Sequence, residues 1–159
     1  KKVFRHEFIF EEETQTPEME VNSILDYFFQ TSLLVKSDVR AGYSLTRPGF
    51  DQVTVWANLA KTFLESYWIA TRAIIKRQKD GKKRSDMLKS MSYLGQRYHR
   101  LGLIDHLEAV SQVNFKNAIR MIEEDFPLSA ATTEEARQET CENLGLFSKR
   151  LHQFSQYNK

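Results

Sequence analysis

The sequence predicts a mainly α-helical fold: a helical domain around one long central helix, with a small winged-helix-like β-hairpin near residues 33–46. Three observations predict it. The stretch 50–77 holds the longest continuous helical pattern, with Trp56, Leu59, Ala60, Phe63, Tyr67, Ala70 and Ile74 at three- and four-residue steps, the period of one helix face. Cap signatures open further helices before and after it. Two short β-favouring runs, Leu33-Leu-Val35 and Tyr43-Ser-Leu-Thr46, flank a polar stretch with Gly42, as in a hairpin.

In chain order, Phe4, Phe8 and Ile9 fit one helix face, whereas Phe8 and Phe10 fit one strand face. The segment therefore reads as a short helix or an extended arm, and Glu11-Glu12-Glu13 as a solvated face. Thr16-Pro17-Glu18 is a helix start, with a Thr cap, Pro at the first position and acids near the positive end of the dipole. That helix should reach about Thr31 and turn Met19, Ile24, Leu25, Phe28 and Phe29 inward. After the hairpin, Arg47-Pro48-Gly49 punctuates the chain and the central helix begins. Leu64, Trp68 and Ile75 add a second apolar row to it. A surface helix needs only about 100° of apolar arc, so this one must be covered on two sides. Leu59, Phe63, Tyr67 and Ala70 are expected inside the domain, and Leu64, Trp68 and Ile75 form the candidate docking face.

The central helix ends in a basic turn: Lys76, Arg77, Lys79, Lys82, Lys83 and Arg84 against Asp80, with Gly81 among them. Cations at a helix C-terminus complement the dipole, which accounts for part of the cluster. The functional reading is contact with anionic lipid headgroups, at about 1 kcal/mol per basic residue. Nucleic acid is a weaker option, because no aromatic residues alternate with the charges. Ser85 should cap a helix over 86–100 carrying Met87, Leu88, Met91, Leu94 and Tyr98, which Gly102 closes. Ser111 opens another, with Val113, Ala118, Ile119 and Ile122 inward, ending near Asp125 before Pro127. Thr132-Thr-Glu-Glu135 opens the last, reaching about Tyr157, with Leu144, Phe147, Leu151 and Phe154 on one face and Cys141 close to it.

At 159 residues the chain fits one domain, expected as a helix-plus-hairpin subregion over 1–48, a helical core over 49–127 and a C-terminal helix over 128–159. A formal charge of +2 gives no global field for nucleic acid or acidic substrates. One cysteine excludes an internal disulfide and a cysteine-based metal cluster. No signal-peptide h-region and no run of eighteen apolar residues is present. The opening Lys-Lys-Val-Phe-Arg-His reads as entry into the middle of a longer polypeptide.

Candidate chemistry is sparse. His99 and Asp105 suggest the His-x4-Asp pair of one acyltransferase class, but five residues and a helix-ending glycine separate them. The Asp of such a pair must orient the imidazole, and this spacing does not provide for it. His99 and His106 lack a third ligand at metal-site spacing. There is no nucleophile elbow or phosphate-cradling glycine loop. No catalytic, cofactor-binding or metal-ligating residue is expected. Helix, strand, turn, strand is also winged-helix grammar, but the helix before the hairpin carries Glu18, Glu20 and Asp26 and no Lys or Arg over 18–30, the wrong sign for phosphates.

Several stretches in order carry a resemblance: Phe4-Arg-His-Glu-Phe8-Ile-Phe10, Leu64-Glu-Ser-Tyr67-Trp-Ile-Ala70, Leu94-Gly95-Gln96-Arg97, Gly102-Leu-Ile104, Glu108-Ala-Val-Ser111 and Phe115-Lys-Asn-Ala118-Ile119. Over roughly residues 3–126 the chain resembles the C-terminal region of bacterial membrane-associated glycerol-3-phosphate acyltransferases. The resemblance implies a parent enzyme that transfers an acyl group from acyl-CoA or acyl carrier protein to the 1-hydroxyl of glycerol 3-phosphate, in phospholipid synthesis. It implies a peripheral location on the cytoplasmic side of the bacterial inner membrane. The family's catalytic motif lies in an upstream domain, and nothing in this chain matches it. The expected function is thus a non-catalytic C-terminal domain, with the catalytic domain of the same polypeptide as partner, an anionic membrane surface as a second contact, and no nucleic acid. The alternative is a winged-helix-type protein- or nucleic-acid-interaction module.

Overall fold

A computed structural model of the chain describes residues 2–7, 16–37, 42–80, 86–128 and 133–156. Among them are five α-helices and one antiparallel hairpin: α1 (Pro17–Gln30), β1 (Leu34–Lys36), β2 (Tyr43–Leu45), α2 (Arg47–Asp80), α3 (Met87–Arg100), α4 (Gln112–Asp125) and α5 (Glu134–Ser155). The mainly helical expectation holds, and so does the hairpin. The chain forms two compact units, Lys1–Ile9 with Ala60–Lys159, and Phe10–Leu59; the division falls inside α2.

In the Phe10–Leu59 unit, Thr16 caps α1 by accepting the Met19 N–H at 3.3 Å, with Pro17 at the first position. The helix ends at Thr31, and Ser32 at φ 56° turns the chain into β1. Leu34 pairs with Leu45, Val35 with Ser44 and Lys36 with Tyr43. Thr46 then joins hairpin to helix: its Oγ1 donates to the Ser32 carbonyl at 2.8 Å and accepts the Gly49 N–H at 3.1 Å. Gly49 passes so close to β1 that an added Cβ would stand 2.0 Å from the Leu33 carbonyl oxygen. Phe28 stacks on Trp56 at 5.6 Å between centroids, and Phe29 meets Tyr43 edge-on at 5.2 Å.

Burial in this unit falls short of expectation. Leu25, Phe28 and Phe29 are half-buried, but Met19 and Ile24 are exposed. Leu59, expected in the core, is 63% exposed. The reason is one of supply: two three-residue strands cannot cover the apolar faces of two helices. The apolar period of α2 therefore runs further than the cover over it. Residues 38–41 of the polar stretch between the strands, and the segment from Phe8 to Glu13, lie outside the described residues.

The other unit holds the core. Tyr67, Ile69 and Ala70 of α2 are buried with Met91 of α3, Ile104, Phe115, Ala118 and Met121 of the α4 region, and Leu144 of α5. Phe63 is half-buried and packs on Phe4 at 6.0 Å. Lys2–Phe4 forms a short 3-10 helix, in keeping with the short-helix reading, and residues 8–13 of the same segment lie outside the described residues. Asp86 occupies the α3 cap position without a side-chain bond, and Ser85 is outside the described residues. The turn after α3 needs Gly102, which sits at φ +66°. Ser111 caps α4 as expected, accepting from Asn114, and within the expected start over 132–135 it is Thr133 that caps α5, accepting from Ala136.

Two inward assignments change. Val113 is 65% exposed, because it lies nine residues from buried Ile122, about half a turn away at 3.6 residues per turn. Phe154 is 66% exposed. The seam of α5 is Leu144, Ser148, Leu151 and Ser155, and Phe154 falls roughly a quarter-turn off it.

Candidate interaction surfaces

Four polar side chains on the buried stretch of α2 hold neighbouring segments, three of them the loop over 105–111 and one α5. Glu65 is fully buried and four residues before Ile69, on the same helix row. One carboxylate oxygen accepts the Asp105 N–H at 2.8 Å, the other the His106 N–H at 3.0 Å, with His106 Nδ1 at 3.2 Å. A buried carboxylate is tolerable when its lone pairs are met in this way. Lys61 pairs with the Asp105 carboxylate. Ser66 donates to the Ala109 carbonyl at 2.7 Å and accepts from Asn114 Nδ2 at 3.2 Å. Thr71 donates to the Trp68 carbonyl at 2.8 Å and meets Ser148 of α5 at 2.9 Å. In this arrangement a carboxylate meets His106 and a lysine meets Asp105; His99 is half-buried along α3.

The N-terminal arm is pinned to α2 and α4. Arg5 forks onto Glu124 at 2.7 Å and Asp125 at 3.1 Å, and His6 Nε2 lies 3.0 Å from Glu124. Arg5 first, with His6 and Arg120 adding to it, holds the Glu124 carboxyl down at about 2 against the opposing effect of desolvation. Glu7 accepts from Asn117 at 3.0 Å. Its other oxygen and the Tyr67 hydroxyl are buried without a well-formed hydrogen bond. Burial first, and then the nearby Glu7 charge, push the Tyr67 phenol well above its usual value. The stretches that carry the resemblance thus meet one another: arm on α4, α2 on the 105–111 loop, and Gly95 against the Val110 side chain. Their polar marks serve the fold.

The expected interaction residues are distributed differently. In the candidate docking row, Trp68 is 7% exposed, stacked between Tyr98 at 4.8 Å and His152 at 4.0 Å. Leu64 and Ile75 are half-buried beside the core. In the basic turn, Lys76 is exposed and Arg77 half-buried. Lys82, Lys83 and Arg84 lie outside the described residues, as does the side chain of Lys79. What sequence reading missed is the extent of bare apolar surface on the smaller unit. Met19, Val21, Ile24, Tyr27, Phe50, Val55 and Leu59 are each more than half exposed. Leu33 is the one large apolar side chain buried there among the described residues. The signal was available: two amphipathic helices and only six strand residues to cover them.

No group of histidine, cysteine and acidic side chains among the described residues could hold a metal ion. No helix among them is long and apolar enough to cross a membrane. A family model described as the glycerol-3-phosphate acyltransferase C-terminal region matches residues 1–129, which leaves α5 beyond the match. No curated protein and no solved structure matches the chain.

Proposed function

Because the chain belongs to the family of glycerol-3-phosphate acyltransferase C-terminal regions, we propose that it is a non-catalytic domain of such an enzyme, packing on the catalytic acyltransferase domain of the same polypeptide. The observation that carries this is the bare apolar surface of the Phe10–Leu59 unit. Val21 and Ile24 of α1, with Val55 and Leu59 of α2, are each more than half exposed. Large exposed apolar patches mark interaction sites. A C-terminal region follows the rest of its enzyme in the chain, so the catalytic domain is the tethered partner at high effective concentration. Leu64 and Ile75 are the members of the expected docking row with surface left to reach it. The non-catalytic reading is supported by the engagement of Lys61, Glu65 and Ser66 with the 105–111 loop and of Thr71 with α5.

Peripheral membrane contact is the second part of the reading. The basic cluster over 76–84, with Lys76 exposed, suits an anionic lipid surface on the cytoplasmic side. The acidic α1 disfavours nucleic acid, since Glu18 and Asp26 are exposed on it.

The test is made in the full-length enzyme carrying Ile24→Asp with Leu59→Asp. Acyl transfer should fall at least about tenfold, the loss of roughly 1.4 kcal/mol of interface. The same changes in the 159-residue chain should leave its circular dichroism unaltered. Wild-type activity in the double variant would sink the docking surface, and acyl transfer by the isolated chain would sink the non-catalytic reading. Equal sedimentation with neutral and anionic vesicles would remove the membrane role of the basic cluster.

A further inference from the structure

A cavity of about 760 Å³ opens between α2, α3 and α5, all within the larger unit. Its size suits a small-molecule ligand. One wall is Trp68 with Tyr98 and His152 stacked on it, each ring within 26° of the Trp68 plane. Ile75 and Leu103 extend the apolar lining. At the rim stand Arg72 of α2 and Lys149 of α5, both exposed. Neither makes an ion pair with any described residue. Glu142 also lines the cavity, and its carboxylate accepts from Gln138 Nε2 at 3.0 Å. Two cations therefore face one carboxylate that already has a donor.

Gly145 is the second, independent observation. It lies inside the 22-residue α5 and lines the cavity. Glycine is unfavourable in a helix interior relative to alanine. An added Cβ at Gly145 would meet nothing within 4 Å, so close packing does not call for glycine there. Its effect is to leave the cavity open.

We propose that this cavity binds a single-chain amphiphile with an anionic head. The aliphatic chain lies along the aromatic wall and Ile75, and Arg72 and Lys149 hold the head. A carboxylate head and a phosphate head share this chemistry. Arginine takes either as a two-toothed partner, and lysine adds a point charge. The proposal does not depend on the docking surface, since no residue of the Phe10–Leu59 unit lines the cavity. The site joins the family-matched region to α5, which lies outside the match.

The experiment titrates the full chain with decanoate, decyl phosphate and the neutral decyl maltoside, each below its micelle concentration. Trp68 emission is read in a Trp56→Phe background. Saturable shifts with the anionic probes, and binding of the neutral one at least tenfold weaker, are expected. The tighter of decanoate and decyl phosphate identifies a fatty-acid-like or a phosphate-headed ligand. Arg72→Gln with Lys149→Gln should weaken anion binding at least tenfold. Gly145→Leu should abolish it with circular dichroism unchanged. Equal affinity for the neutral probe, no saturable shift with either anion, or full binding by the rim double variant would overturn the proposal. If Gly145→Leu fails to fold, the rim double variant decides.

Discussion

Arg5 shows how much one side chain can organise. It sits in the N-terminal arm and bridges more than a hundred residues of chain to Glu124 and Asp125. The Glu124 carboxyl consequently titrates at about 2 rather than the usual 4.5. Its pKa is lower folded than unfolded, so the unfolded chain binds the proton more readily. The stabilisation is complete above pH 4.5 and is lost as pH falls towards 2. Thermal melts of the wild type and Glu124→Gln, run from pH 7 to pH 2, should differ at neutral pH and converge in that window. Curves that stay parallel down to pH 2 would show that the Arg5 fork does not act through the Glu124 charge. Glu65 illustrates the opposite economy. It is a carboxyl in the middle of a core, held by two backbone N–H groups of the 105–106 loop.

Among the elements, the hairpin and the start of α2 depend on contact at one position. The chain can enter α2 beside β1 only because residue 49 lacks a side chain. Gly49→Ala would place Cβ against the Leu33 backbone oxygen, and a backbone atom cannot rotate aside. The expected cost is about 1–3 kcal/mol, the usual range for overpacking, read by urea titration of the Ala variant against wild type. An unchanged midpoint would mean that the junction is not held as tightly as its geometry implies. α2 itself serves two environments. Its residues from Lys61 onward are buried or half-buried through Ile75 save for Arg72, while 55–60 remain exposed. One uninterrupted amphipathic pattern thus covers a packed stretch and a bare one.

For the whole molecule, the two units differ in how much core they own. The larger draws buried side chains from α2, α3, α4 and α5. Among the described residues, the smaller has Leu33 buried and Leu25, Phe28 and Phe29 half-buried. Amides of α1 and the hairpin should therefore exchange by local opening, at least about a hundredfold faster than those of α4, since protection follows buried apolar contact. Hydrogen exchange followed by mass spectrometry reads this directly. Protection of α1 equal to that of α4 would show that the smaller unit is stable alone, which would weaken the case for a covering partner.

The sequence by itself determined the elements, because caps and periodicity are local. Thr16, Ser111 and Thr133 mark helix starts that the structure keeps, and Gly102 marks a stop. It determined the family through ordered marks. Only tertiary structure decided which apolar residues are interior. Leu59, Val113 and Phe154 read as core from spacing, yet burial depends on whether another element is present to cover that face. Trp68 read as a surface row and is enclosed by Tyr98 and His152, which lie 30 and 84 residues away in the chain. The cavity beside it was equally out of reach of local pattern, since Arg72, Lys149 and Gly145 share a site only once α5 has packed on α2. Periodicity fixes which face of a helix is apolar; the cover comes from chain distant in sequence, and no local pattern encodes it.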